Sequence, residues 1–203
     1  MSLHRTGILC VVSGPSGSGK TTVCRAAAEA TPLYYTVSCT TRLQRPGEVH
    51  GHDYFFLTEE DFKKRITAGD FLEHAQVHGR RYGTLKSEVL PRLAAGEDVV
   101  MDLDPQGAAQ LRACDDLAIR HSLVDVFILP ASIDELRARL TNRRSESEAG
   151  LQLRLLNAID EMQHWPIYAY TVISRSKQED LADFLAILTA ERHRSSRLRF
   201  PAS

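Results

Sequence analysis

The sequence contains no apolar run approaching the ~20 residues that a bilayer-spanning helix needs. A membrane is therefore not expected among its partners. The apolar stretch Ile8–Val12 is too short for a signal core and has no small-residue cleavage site, so an exported chain is not expected either. An excess of one charge sign is also missing. The 25 Lys and Arg against 26 Asp and Glu leave a net charge of −1, so bulk electrostatics draws the chain neither to nucleic acid nor to anionic lipid. The one basic cluster, His193–Arg199, reads as a solvated helix end whose cations suit the helix C-terminus. Cysteine is scarce: Cys10, Cys24, Cys39 and Cys114 include no C-x-x-C pair and no zinc spacing. They read as free thiols of a reducing, cytoplasmic compartment. His50 and His52 stand two apart, with no cysteine or carboxylate cluster of metal-ligand spacing beside them. Internal repeats and low-complexity stretches are absent. What remains is 203 residues with an ordinary apolar share of 43%, enough for one soluble globular domain with a sizeable core. Monomer and homodimer are both compatible with that composition.

Apolar runs alternate with helical patterns, which predicts an α/β fold with a mostly parallel sheet flanked by helices. Ile8–Ser13, Asp98–Leu103 and Ser122–Leu129 are continuous apolar runs of the kind that strands covered on both faces require. Phe71–Val77 and Tyr170–Ile173 are two further strands. Helices are expected from the glycine-rich turn to Ala30 (ended by Pro32), over Glu59–Ala68, over Ser87–Ala95 with Gly96 at its C-terminus, after Pro105, after Ser132, over Gly150–Met162 and over Glu179–Arg192. Thr58 with Asp61, and Ser132 with Glu135, have capping-box spacing. Two segments lack the strand–helix rhythm, at about 38–84 and about 139–154. They read as an α+β insertion and a lid on a core made of 1–37, 85–138 and 155–203.

Gly14-Pro15-Ser16-Gly17-Ser18-Gly19-Lys20-Thr21 satisfies G-x-x-x-x-G-K-[ST], the P-loop pattern, and Thr22 follows it in the same helical turn. Each residue type has a physical task. Gly14, Gly17 and Gly19 allow positive φ and a close ligand approach. Successive backbone N–H groups then converge as an anion nest, reinforced by the helix dipole. Lys20 reaches the β- and γ-phosphates, and the Thr21 hydroxyl suits Mg²⁺. Asp102, ending an apolar strand of a parallel sheet, is the candidate acid beside that metal. Asp104 also has an independent reading, as the N-cap before Pro105.

A second constellation follows. Ser38, Thr40 and Thr41 precede Arg42 and Arg45, two guanidinium forks three residues apart that suit a second phosphate. The P-loop, then S-x-T-T-R-x-x-R-x-G-E ending at Glu48, then Gly51-His52-Asp53-Tyr54-Phe55-Phe56, Phe71-Leu72-Glu73, Tyr82-Gly83-Thr84 and Asp102-Leu103-Asp104-Pro105-Gln106-Gly107 together resemble the guanylate kinases, in that family's order and spacing. The resemblance covers roughly residues 7–188.

That resemblance implies phosphoryl transfer from MgATP to GMP, and to dGMP, giving ADP and GDP. It implies that Arg42, Arg45, Tyr54 and Tyr82 hold the GMP phosphate, and that Ser38, Glu73, Thr84 and Asp104 read guanine. A carboxylate accepts guanine's N1–H and N2–H₂ together, whereas adenine presents an acceptor at N1. Arg143 and Arg154 fall where the family's lid arginines meet the donor phosphates, with Arg139 as a further candidate and Arg144 as a solvated neighbour. Two departures stand out: Ser174 and Arg175 replace the family's Asn-Asp near the donor base, and Arg80 stands in the loop before Tyr82, where the family often has Asn. Two other readings are a catalytically silent guanylate-kinase-like binding module, which usually has a degraded P-loop, and a P-loop kinase for another phosphorylated acceptor, which would lack the guanine-reading block.

Overall fold

A computed structural model describes residues 4–77, 79–141 and 148–199. Its centre is a five-stranded, wholly parallel sheet in the order β10 (Tyr170–Ser174), β9 (Leu123–Pro130), β2 (Leu9–Ser13), β8 (Asp98–Asp102), β3 (Leu33–Tyr35). All five residues of β2 are buried, as a central strand between two helical layers requires. Its side chains alternate between the layers. Cys10 and Val12 pack towards α1 (Lys20–Ala30) and α8 (Lys177–Arg192), meeting Val23, Ala27, Phe184 and Leu188. Leu9 and Val11 point the other way, towards α3 (Lys86–Ala94), α4 (Pro105–Arg112) and α5 (Leu117–Ser122). The predicted strands and helices of this layer are present with small boundary shifts. The largest is in α8, which begins at Lys177 because Ser176 and Glu179 close a full capping box two residues earlier than expected.

A second, four-stranded sheet carries β4 (Cys39–Thr40), β5 (Phe55–Phe56), β6 (Phe71–Val77) and β7 (Arg80–Leu85), in the order β5-β4-β7-β6. Helix α2 (Glu59–Ala68) packs on it through Phe62, stacked on Phe71 with ring centroids 4.4 Å apart, beside Cys39 and Leu85. Thr58 caps α2 through the Asp61 amide, but the expected box is only half formed. The Asp61 carboxylate takes the Thr58 hydroxyl at 2.7 Å instead of reaching back to the backbone. Gln110 of α4 ties this sheet to the core, since its amide accepts from His74 N–H and donates to His74 C=O at 3.1 and 2.7 Å, like one residue of a neighbouring strand. Helices α6 (Ile133–Thr141) and α7 (Glu148–Met162) pack together through Leu136, Leu140, Leu155 and Ala158.

The basic end of the chain departs from its sequence reading. Antiparallel pairing joins β1 (His4–Arg5) to β11 (Leu198–Arg199), and Arg197 just before β11 is 3% exposed rather than solvated. It donates to the equally buried Glu191 at 2.9 Å and to His121 C=O at 2.7 Å. Arg197→Ala would take both guanidinium bonds from one oxygen of the buried Glu191 carboxylate, leaving the Tyr170 hydroxyl and the exposed Arg194 on the other. It should cost about 3–5 kcal/mol, read as a loss of urea midpoint with an unchanged m value, and should leave the kinetics of the folded fraction intact.

Candidate active site

Because the core sheet is wholly parallel, the carboxyl ends of its strands lie along one edge, and β2 there runs into the glycine-rich turn. Two glycines fix that turn. A Cβ on Gly14 would lie 2.4 Å from Ile128 C=O of β9, and Gly19, with φ of 97°, is the N-cap of α1. Ser18 contributes shape rather than a donor, because its amide bonds Pro15 C=O at 3.0 Å and its buried hydroxyl makes no hydrogen bond among the described residues. Lys20 Nζ makes one long contact, 3.4 Å to Pro15 C=O. Thr21 donates its hydroxyl to Asp102, which stands on β8 in register with Val12 of β2. The hydroxyl and carboxylate singled out for a metal are thus adjacent. Among the described residues, no group of three or more His, Cys, Asp or Glu is arranged to hold a metal ion. An ion here would have to complete its shell with phosphate and water oxygens, as Mg²⁺ ordinarily does. His50, for its part, spends Nδ1 on accepting the Phe56 amide at 3.2 Å.

The turn opens into a cleft of about 340 Å³ lined by Gly14, Ser16, Lys20, Thr21, Ser38, Tyr54, Glu73, Tyr82, Asp102 and Asp104, among others. Residues from both ends of the chain's first half therefore meet in one space. Glu73 is 4% exposed. Burial pushes its carboxyl up to about 7, helped by the neighbouring Asp104 and opposed by hydrogen bonding from the Thr84 side chain and amide. Thr84 is fully buried behind the cleft wall and faces Ser38, hydroxyl to hydroxyl, at 3.3 Å. Asp104 caps α4 by accepting from Gly107 N–H at 2.8 Å, as its position before Pro105 predicts, and also lines the cleft.

A detail of β6 aims Glu73. Phe71 pairs with Leu85 and Glu73 pairs with Thr84, so the ladder slips by one residue at Leu72. Without this bulge Glu73 would share the face of Phe71 and point into the apolar packing on α2. With it, Glu73 shares the face of Thr84 and Tyr82 and enters the cleft. Gly107 leaves room for the carboxylate, because a Cβ there would sit 2.8 Å from Glu73 Oε2. Gly107 lies within a helix at ordinary φ, where alanine is favoured. Gly107→Ala should therefore hold the melting temperature steady while lowering kcat/KM for the acceptor by about 10- to 100-fold through a displaced carboxylate. Steady-state kinetics beside a thermal melt check this.

The arginines fare differently. Arg42 is held by Glu48 in a fork-to-carboxylate pair at 2.7 and 3.0 Å, with its guanidinium 5.3 Å from the Tyr54 ring centre. The same pair, with the Arg45 amide, holds the Glu48 carboxyl below its usual range. Neither Arg42 nor Arg45 lines the cleft, and Arg45 is exposed beside it. Arg154 donates to Ser16 Oγ at 3.2 Å. Arg139 donates to Ser18 C=O and to Ser174 Oγ, each at 3.1 Å, joining the turn to the end of β10. Arg143 and Arg144 lie outside the described residues. Thr22 is exposed on α1. Ser174 is buried and donates to Asp180 at 2.7 Å, and Arg175 pairs with Asp183 at 2.8 Å, so both are engaged with α8. Arg80 is exposed at the start of β7.

Sequence reasoning gave no role to Arg25 and Asp53, which bridge α1 to the second sheet's loop at 3.1 Å across the cleft rim. It also missed Glu161, whose carboxylate accepts the Ser16 amide at 3.2 Å. Positions so far apart in sequence carry no spacing signal. All four cysteines are free thiols, and burial pushes Cys39 up to about 12 and raises Cys10 and Cys24 as well, so these three are poor nucleophiles. Among the described residues, no helix is long and apolar enough to cross a membrane.

The family model described as guanylate kinase matches residues 6–191. The chain is 43% identical over 197 residues to a guanylate kinase of Paramagnetospirillum magneticum, covering 97% of this chain and 90% of that protein. It is 43% identical over 194 residues to the guanylate kinase of Escherichia coli strain K12, covering 94% and 91%. A crystal structure of guanylate kinase from Anaplasma phagocytophilum superposes with a TM-score of 0.80 at 29% identity, covering 97% of this chain and 92% of that one.

Proposed function

The chain belongs to the guanylate kinase family, and on that premise we infer that it moves the γ-phosphoryl group of ATP onto the phosphate of GMP, giving ADP and GDP. The observation that carries this reading is one cleft with a glycine-rich phosphate turn on one wall and a buried carboxylate on the other.

The chemistry asks for little beyond positioning and charge. The attacking oxygen of GMP is already anionic, so the site needs no general base. It needs two phosphates in line, their repulsion offset, and water kept out. Lys20 and the inward amides of the turn offset the donor's charge. The Thr21 hydroxyl and the Asp102 carboxylate, adjacent at the foot of the turn, would hold Mg²⁺, which would supply charge neutralisation at the donor phosphates. Arg42 and Arg45, with the hydroxyls of Tyr54 and Tyr82, take the acceptor phosphate. Arg42 is already aligned by Glu48, which limits the entropy lost when it binds. Glu73, Ser38, Thr84 and Asp104 read the base, a role supported by their common exposure to, or backing of, the cleft. Residues 38–84 are then an acceptor-binding insertion. Residues 139–154 are a lid from which Arg154, Arg139 and Arg143 approach the donor, supported for the first two by their bonds to Ser16 and Ser18. With Ser174 and Arg175 committed to α8, no contact from that corner to the donor base is assigned.

A coupled ADP-release assay with GMP, dGMP, AMP, UMP and CMP tests the assignment. Turnover confined to GMP and dGMP is the expected result. Turnover with AMP or a pyrimidine monophosphate at a comparable kcat/KM would overturn it.

A further inference from the structure

Ser16 is gripped twice by α7. Arg154 donates to its hydroxyl, and Glu161, two turns further along the helix, accepts its backbone N–H at 3.2 Å. That amide belongs to the turn whose N–H groups form the anion nest. Glu161 also lines the same cleft as Gly14, Lys20 and Thr21. A carboxylate oxygen and a phosphate oxygen are alike to a backbone amide, since both are anionic acceptors of a charge-assisted hydrogen bond. One N–H cannot serve both at full strength, and the two anions repel each other in a partly desolvated turn.

We propose that Glu161 is an internal competitor for the phosphate subsite at Ser16, a positioning residue that lowers the affinity of the P-loop for every phosphate ligand that fills it. The inference rests on reading this turn as the donor site. Glu161 must leave the amide before a phosphate oxygen can take it. Its cost is therefore the same for each ligand using the subsite and absent for ligands that do not. A nucleoside di- or triphosphate overcomes that cost through Lys20, Thr21 and the remaining amides. An isolated small anion has fewer contacts to offset it, so the Ser16 amide stays with the chain's own carboxylate.

The experiment is calorimetric titration of MgADP, and separately of GMP, into the wild-type chain, Glu161→Gln and Glu161→Ala. MgADP should bind about three- to tenfold tighter to Glu161→Ala, with Glu161→Gln between it and wild type because the amide oxygen still accepts but carries no charge. GMP affinity should not move in either variant. Unchanged or weaker MgADP binding in Glu161→Gln, which preserves side-chain shape, would overturn the proposal. So would a parallel loss of GMP affinity, which is what a merely structural role predicts. Failure of the wild-type chain to bind MgADP at all would instead sink the donor-site reading itself.

Discussion

Lys20→Ala should lower kcat for GMP phosphorylation by about 10³-fold or more while the protein remains folded. The side chain stands at the start of α1 with a single 3.4 Å contact to Pro15 C=O, so little native structure depends on it. Its ammonium is nevertheless the one point charge that the turn itself offers to a phosphate chain, and the need for it grows as charge shifts to the leaving oxygen. Removing it should therefore depress kcat along with kcat/KM, and the melting temperature should move by only a few degrees. Lys20→Arg should not rescue turnover, because the planar fork is bulkier than the ammonium and the turn is closed by Gly14 against Ile128 and by Gly17 against Leu140. A folded Lys20→Ala protein with near-normal turnover would end the mechanism proposed above.

The second large effect is expected at Glu73. Glu73→Gln replaces an acceptor-only carboxylate with an amide that must turn a donor towards guanine's own donors. Preference for GMP over AMP should fall by about 10²-fold, mostly through loss of kcat/KM for GMP. The same residue sets a pH dependence. Burial raises its carboxyl to about 7 in the free protein, and guanine needs the ionised form. Below that pH the proton must leave when GMP binds, so KM for GMP should rise by up to about tenfold per pH unit as acidity increases. The second ionisation of the GMP phosphate, near a pKa of about 6, adds a slope of its own, and the difference between wild type and Glu73→Gln isolates the enzyme's part. Stability runs in the matching direction. The folded state holds a proton that the unfolded chain has released between the usual carboxylate range and about 7. Folding stability therefore falls as pH rises through that window. Glu73→Gln should flatten the fall and melt higher than wild type at pH 8 without nucleotide. If the two proteins show parallel pH profiles for both KM and melting, Glu73 is not the base-reading carboxylate.

Much of this was legible locally. Three of the five core strands are continuous apolar runs and the caps at Asp104 and Ser132 follow short-range rules, so a stretch of neighbouring residues contains the whole signal. The P-loop is legible for the same reason, its turn, amides and lysine being contiguous. The half-formed box at Thr58 shows the limit even of local rules, since spacing does not choose between hydroxyl and amide as the partner of Asp61. Arg197 shows a different limit. Its composition-based reading as a solvated cation fails because its partner Glu191 and its carbonyl acceptors come together only when β11 pairs with β1.

Order along the chain determined the fold class and the phosphate turn, because each depends on residues within a few positions of one another. Tertiary structure alone decided that Glu73 faces the cleft and not the packing on α2, since side-chain direction in a strand reverses with a one-residue slip that no alternation pattern records. It alone brought Glu161 to Ser16 and Glu48 round to Arg42. Carboxylates find such partners through chain reversals and helix packing, whose geometry is set by the rest of the molecule.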